Sequence, residues 1–161
     1  MIFVTIGIQE PFDRLIKAMD EIAPELEGIP IIAQVYSLSY KAVNLKTFEF
    51  VSQAEFEDYF SRATLIVAHA GMGTIISALV KDKPIIVMPR LTKYKEHRSD
   101  HQIATANACK ELNYVHVAED ENELKTKVVE IIRGQSKGSL YKIGPYASPG
   151  LIQAVKEGIG L

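Results

Sequence analysis

The sequence predicts an α/β fold: a doubly wound parallel sheet covered by helices on both faces. Short apolar runs alternate with helix-spaced patterns along most of the chain. The runs "TLIVA" (64–68) and "PIIVMP" (84–89) are continuously apolar, as in strands buried on both faces. After such runs come glycine, proline or charged residues, and then another helical pattern.

The elements follow in order. "IFVTI" (2–6) is the first strand. In "PFDRLIKAMDEIA" (11–23), Phe12, Leu15, Ile16, Met19 and Ile22 fall at helical spacing behind Pro11, a favoured first residue. Strands "PIIAQVY" (30–36) and "KTFEFV" (46–51) come next. Ser52 and Glu55 then form a capping box for "QAEFEDYFSRA". The strand 64–68 leads into the helix "TIISALVKD", and the strand 84–89 into a helix over 99–112. "NYVHVA" is the last strand, and Asp120 with Glu123 caps "ENELKTKVVEIIRG". These elements make residues 1–133 one domain. The stretch 134–150, rich in Gly, Ser, Lys and Pro, reads as a linker or lid, and 151–159 as a docking helix; a tail packed on its own domain is the alternative.

The 161 residues are enough for one domain with a real core. Net charge is −2, which gives no sign of a nucleic-acid partner. Cys109 is the single cysteine, so neither an internal disulfide nor a thiol-rich zinc site is available, and a reduced, cytoplasmic setting is expected. The N-terminal "MIFVTIG" lacks the basic region of a signal peptide, and no run approaches the ~18 apolar residues of a membrane span.

Ligands of such sheets bind beyond the carboxyl ends of the strands, so the strand-to-helix loops carry the candidate chemistry. In "GIQEPF" (7–12), Gly7 permits a sharp turn before a helix N-terminus, which suits phosphate; an ordinary turn fits as well. In "HAGMGT" (69–74), Gly71 and Gly73 remove side chains where an anion would approach the backbone. Thr74 can cap the helix or bind phosphate, and His69 can donate a ring N–H. Spacing alone fits an anion cradle and a tight structural turn equally. The third loop, "PRLTKYKEHRSDHQ" (89–102), is basic. Within it Asp100 can cap the next helix, and the Gln102 amide can pair with hydroxyls. His97 and His101 are four apart, but no HExxH arrangement surrounds them, so no metal site is assigned. Cys109 lies mid-helix as a buried structural thiol.

Taken together, "VTIGIQEPFDRLI", "FEFVSQAEFEDYFSRATLIVAHAGMGTI", "KPIIVMPR" and "YKEHRSDHQ" resemble the nucleotide-binding half of GT-B glycosyltransferases. The resemblance is to the catalytic, donor-binding subunits of split enzymes with a glycosyltransferase family 28 C-terminal domain. That family includes the subunit adding the second N-acetylglucosamine to dolichol diphosphate, and bacterial exopolysaccharide and capsule subunits. It is also similar to the C-terminal half of MurG.

The resemblance implies a Rossmann-like, single GT-B C-terminal-type domain. Gly7 and its loop would face the donor diphosphate, and the backbone at Phe50 and Val51 would hold uracil. His69, Gly71, Gly73 and Thr74 would cradle the diphosphate. Arg90 and Glu96 would shape the sugar pocket, with Gln102, His101 and Asp100 at the sugar hydroxyls. Ser77 stands where MurG-like enzymes carry a ribose-binding glutamate, and Gln34 is followed by Val35 and Tyr36 where relatives often have glycine.

The implied activity is inverting, metal-independent transfer of a sugar from a UDP-sugar to a polyprenyl-diphosphate-linked acceptor, with no cofactor. A membrane-anchored partner subunit would bind the acceptor, supply the general base in preference to His69, and recruit this chain to the inner membrane face. Homo-oligomers are also compatible. Two rival readings stand beside it: a non-catalytic nucleotide- or phosphate-binding module, and a stand-alone sugar-nucleotide hydrolase or epimerase.

Overall fold

A computed structural model describes residues 1–135, 140–143, 146 and 149–158. Among the described residues, six strands and six α-helices follow in the order β1 (Ile2–Thr5), α1 (Asp13–Ile22), β2 (Ile31–Gln34), β3 (Lys46–Phe48), α2 (Gln53–Arg62), β4 (Leu65–His69), α3 (Met72–Val80), β5 (Ile85–Met88), α4 (His101–Glu111), β6 (His116–Val117), α5 (Glu121–Ile132) and α6 (Pro149–Gly158). All strand pairs are parallel, and the spatial order is β3-β2-β1-β4-β5-β6. The order reverses between β1 and β4, which opens the crevice where such sheets bind ligands.

Strand residues divide by parity between two cores. Ile2, Val4, Leu65, Val67, Ile86 and Met88 pack under α1 and α5, through Leu15, Met19, Leu124 and Val128. Phe3, Ile66, Ala68, Ile85 and Val87 pack on the opposite face, with Phe60 of α2, Ile75 of α3 and Ala106 of α4. Both faces being covered explains why these strands read as unbroken apolar runs. Each large side chain so buried contributes about 1.5–3 kcal/mol.

The elements are shorter than the apolar runs suggest, because strands end where pairing ends. The run 46–51 yields β3 over Lys46–Phe48, and the helix expected over 99–112 is α4, His101–Glu111. Pro11 lies before α1, whose N-cap is Phe12. The Ser52–Glu55 capping box forms in full, and Asp120 accepts from the amides of Asn122 and Glu123. The Glu123 carboxylate accepts from the Glu119 amide and not from that of Asp120.

Two expected caps are absent. Gly71, not Thr74, is the N-cap of α3 and offers no side-chain bond. Asp100 occupies the N-cap of α4 but turns back, accepting from the Thr92 amide at 2.8 Å and its hydroxyl at 2.9 Å.

The β2–β3 connection carries no helix, and α1 holds it instead. Asp13 accepts from the amides of Ser39 and Tyr40; Asp20 accepts from those of Val43 and Asn44 and from the Tyr40 hydroxyl. Much of the stretch 134–150 lies outside the described residues. The terminal helix is α6, starting two residues earlier than its apolar pattern suggests. Among the described residues, no helix is long and apolar enough to cross a membrane.

Candidate functional site

A cavity of about 250 Å³ opens at the switch point, lined by Gly7, Gln9, Glu10, His69, Arg90, His97 and Gln102 among others. It lies between the β1–α1 loop and the carboxyl ends of β4 and β5. Four residues expected at the site, Gly7, His69, Arg90 and Gln102, line it.

The His69 imidazole is the centrepiece. A Cβ on Gly7 would lie 3.1 Å from its Cε1, and one on Gly71 would lie 2.3 Å from its Nε2. Both glycines therefore make room for this ring. Gly7 has a second reason, its φ of +76°, which L side chains disfavour. Gly73 differs: a Cβ there would meet nothing within 4 Å, and its φ is not positive. Neither a close neighbour nor a left-handed backbone calls for glycine at 73, and the space beside it is open.

The start of α3 is correspondingly bare. The Gly71 amide donates to the His69 carbonyl and the Ile75 amide to the Gly71 carbonyl. The amides of Met72, Gly73 and Thr74 have no partner among the described residues. Unpaired amides at a helix N-terminus attract anions. Ser77, at the position where the resemblance leads one to seek a carboxylate, donates its hydroxyl to the Gly73 carbonyl at 2.8 Å.

His69 is neutral at pH 7. Burial first, and the Arg90 guanidinium second, push its pKa down from 6.5 to about 4, with His97 adding to the fall. The Thr5 carbonyl opposes this without meeting hydrogen-bond geometry, so Nδ1 stays enclosed with no partner.

Arg90 is 2% exposed, and its guanidinium is spent on backbone carbonyls. Gln102 accepts from the Arg90 amide at 3.1 Å, and its own amide nitrogen makes no hydrogen bond among the described residues. That group remains available to a ligand hydroxyl. The Glu96 carboxylate lies off this cavity: it takes Nε and Nη2 of Arg14 at 2.8 and 2.9 Å and the Leu91 amide at 2.9 Å. Asp100 is occupied by Thr92, as described above. His101 takes Ser99 at 2.9 Å, and its ring meets that of His97 edge-on at 4.7 Å. Among the described residues no three His, Cys, Asp or Glu side chains cluster to hold a metal. Phe50, 83% exposed, and Val51 sit beyond β3, two strands away from β1 on the same edge.

Three residues were not singled out for the site from the sequence. Gln9 and Glu10 reach the cavity from the first loop, which was expected there through Gly7. Gln34, buried at the end of β2, accepts from the Thr5 hydroxyl at 2.8 Å and donates to the Gly7 carbonyl at 3.4 Å. A glutamine ending an apolar strand was the available signal for it.

A family model described as the glycosyltransferase family 28 C-terminal domain matches residues 1–142. No curated protein matches. Among solved structures, the solution structure of ALG13 is 22% identical with a TM-score of 0.58, covering 96% of this chain and 93% of that one. MurG of Acinetobacter baumannii is 16% identical (TM-score 0.54), covering 83% of this chain and 41% of its own. A Neisseria meningitidis UDP-GlcNAc 2-epimerase bound to UDP-GlcNAc is 12% identical (TM-score 0.63), covering 98% and 44%. At these identities the likeness establishes the fold. The chain spans less than half the length of the last two and 34% of the glycotransferase of kitacinnamycin, which is also similar.

Proposed function

The chain belongs to the glycosyltransferase family 28 C-terminal domain family, and from that premise we propose that it binds the UDP-sugar donor of a two-chain glycosyltransferase. One observation carries the reading. Unpartnered amides at the start of α3 and in the β1–α1 loop flank the same imidazole, which lines the cavity, and no side chain at Gly73 covers the start of α3. In this reading the diphosphate lies on those amides, His69 donates a neutral N–H, and the Gln102 amide takes a sugar hydroxyl. Phe50 and Val51 offer their backbone to uracil, and Thr74 its hydroxyl to phosphate.

The reaction is inverting transfer to a polyprenyl-diphosphate-linked acceptor in polysaccharide synthesis. Fixed amide dipoles meet the charge growing on the leaving diphosphate, which removes the need for a metal. With a pKa near 4, His69 is a weak base for an acceptor hydroxyl. The base and the acceptor site are assigned to a membrane-anchored partner, gripped by α6, that brings the chain to the cytoplasmic membrane face.

Calorimetry with uridine diphosphate, with and without magnesium, tests the donor site. Binding should need no metal and should be lost in Gly73→Leu, which places a bulky side chain at the bare start of α3, where a Cβ meets nothing within 4 Å. No affinity for any nucleoside diphosphate, even with a co-purified partner, would sink the proposal. Deleting residues 149–161 should abolish co-purification of the partner; an intact complex would remove α6 from that role. One observation favours a second reading, a binding module without catalysis: Ser77 is tied to the Gly73 carbonyl where a ribose carboxylate is sought. Sugar transfer by the two-chain complex, measured with a labelled donor, separates the two.

A further inference from the structure

The β1–α1 loop reaches the cavity as bare backbone, and something must hold that backbone in one shape. Two buried side chains do so, Arg90 just after β5 and Gln34 at the end of β2. Arg90 Nη2 donates to the carbonyls of Ile6 at 2.7 Å and Glu10 at 2.6 Å, and Nη1 to those of Pro11 at 2.5 Å and Glu96 at 3.2 Å. Its guanidinium stacks 4.8 Å from the centre of the Phe12 ring, at the cap of α1. From β2, the Gln34 amide donates to the Gly7 carbonyl at 3.4 Å and to the Val35 carbonyl at 3.3 Å, while its oxygen is occupied by the Thr5 hydroxyl.

In a trans peptide the carbonyl and the following N–H point opposite ways, and no cis peptide occurs among the described residues. Tying the Ile6 carbonyl therefore aims the Gly7 amide away from Arg90, and tying the Gly7 carbonyl aims the Ile8 amide away from Gln34. Neither amide has a partner among the described residues, and both residues line the cavity. Of the two other tied carbonyls in the connection, that of Glu10 precedes Pro11, which has no N–H to aim, and that of Pro11 precedes Phe12, the cap of α1.

We infer that Arg90 and Gln34 are positioning residues, which grip the β1–α1 loop by its carbonyls so that the Gly7 and Ile8 amides stand ready for an anion. The inference deepens the donor-site reading and rests on it only for the identity of the anion. Arg90 then acts by the shape of its fork and not by delivering charge to the ligand. A lysine keeps the charge but cannot span four carbonyls.

The test uses the full chain, labelled with nitrogen-15, as wild type, Arg90→Lys, Arg90→Met and Gln34→Met. Uridine diphosphate affinity is measured by calorimetry, and the amide signals of Gly7 and Ile8 are followed before and after ligand. Arg90→Lys should lose about tenfold or more in affinity, nearly as much as Arg90→Met. In the free variants the Gly7 and Ile8 amides should shift and exchange faster, while those of Val67 and Ile86 in the central strands stay in place. Gln34→Met should move the same two signals with a smaller loss of affinity, and it carries the test if the Arg90 variants do not fold.

Arg90→Lys binding as wild type does would overturn the inference in favour of simple charge attraction. Unchanged Gly7 and Ile8 signals in a folded variant would overturn it too. If the wild type binds no nucleoside diphosphate, the donor reading falls, while the amide signals of the free variants still decide whether the loop is gripped.

Discussion

Two loops meet at the switch point, and they are built in opposite ways. The β1–α1 loop is tied from outside, its carbonyls held by Arg90 and Gln34. The β4–α3 turn has no side-chain cap, and the first amides of its helix are bare. His69 stands between them and decides what each can be. Its ring needs Gly7 on one side and Gly71 on the other, and it leaves Gly73 alone. The backbone at the switch point thus has a braced half and an open half. Gly7 and Gly71, one from each, make room for the ring, whereas Gly73 faces open space.

The sharpest way to break this contrast is Gly71→Ala. Its Cβ would sit 2.3 Å from the His69 ring, so about 3 kcal/mol of stability should be lost, or folding should fail. Urea unfolding measures it, and the double variant Gly71→Ala/His69→Ala should recover much of the loss. Full stability in the single variant would show that the ring is free to move aside.

Next in size is the pH dependence from His69. Folded His69 takes its proton near pH 4, while an unfolded histidine does so near 6.5. The stability it contributes is fully present above pH 6.5 and falls as pH drops towards 4, by up to about 1.4 kcal/mol per pH unit. Urea midpoints across that window should show a slope that His69→Asn reduces; equal slopes would place the ring in water.

Gly7→Ala comes third, at about 1–2 kcal/mol, for its left-handed backbone and its approach to the same ring. Thermal unfolding reads this change, and here His69→Ala should rescue only the steric part.

Smallest is Gly73→Ala. With nothing nearby and a helical position, it should raise stability by about 0.5–1 kcal/mol. A loss comparable to that of Gly71→Ala would erase the distinction between the two glycines.

Much of this was legible in the sequence, and what was not has physical reasons. Runs such as "TLIVA" announce buried parallel strands because both faces demand apolar residues. The Ser52–Glu55 box announces a helix start because its bonds are local. Asp100 shows the limit of local signals: it sits at a helix cap, yet Thr92 on the preceding turn holds its carboxylate. Spacing treats Gly71 and Gly73 alike, since the ring that separates them is visible only in three dimensions. Arg90 reads as part of a basic loop open to solvent. Its partners, the carbonyls of Ile6, Glu10 and Pro11, lie about 80 residues earlier in the chain, and no pattern of residue types advertises a carbonyl. The strand order that brings these segments together is also absent from the one-dimensional text.

The wedge formed by His69 restricts the order in which mutations can accumulate. While the imidazole is in place, a side chain at Gly71 collides with it, and one at Gly7 meets it in a tight contact on a left-handed backbone. Once His69 is exchanged for a small residue, position 71 opens to alanine, while position 7 remains bound by its backbone. A descendant lineage can therefore lose the histidine first and the second glycine afterwards, whereas the reverse path passes through a damaged protein. The three positions form a lock with a direction, and Gly73, where a Cβ meets nothing within 4 Å, stands outside it.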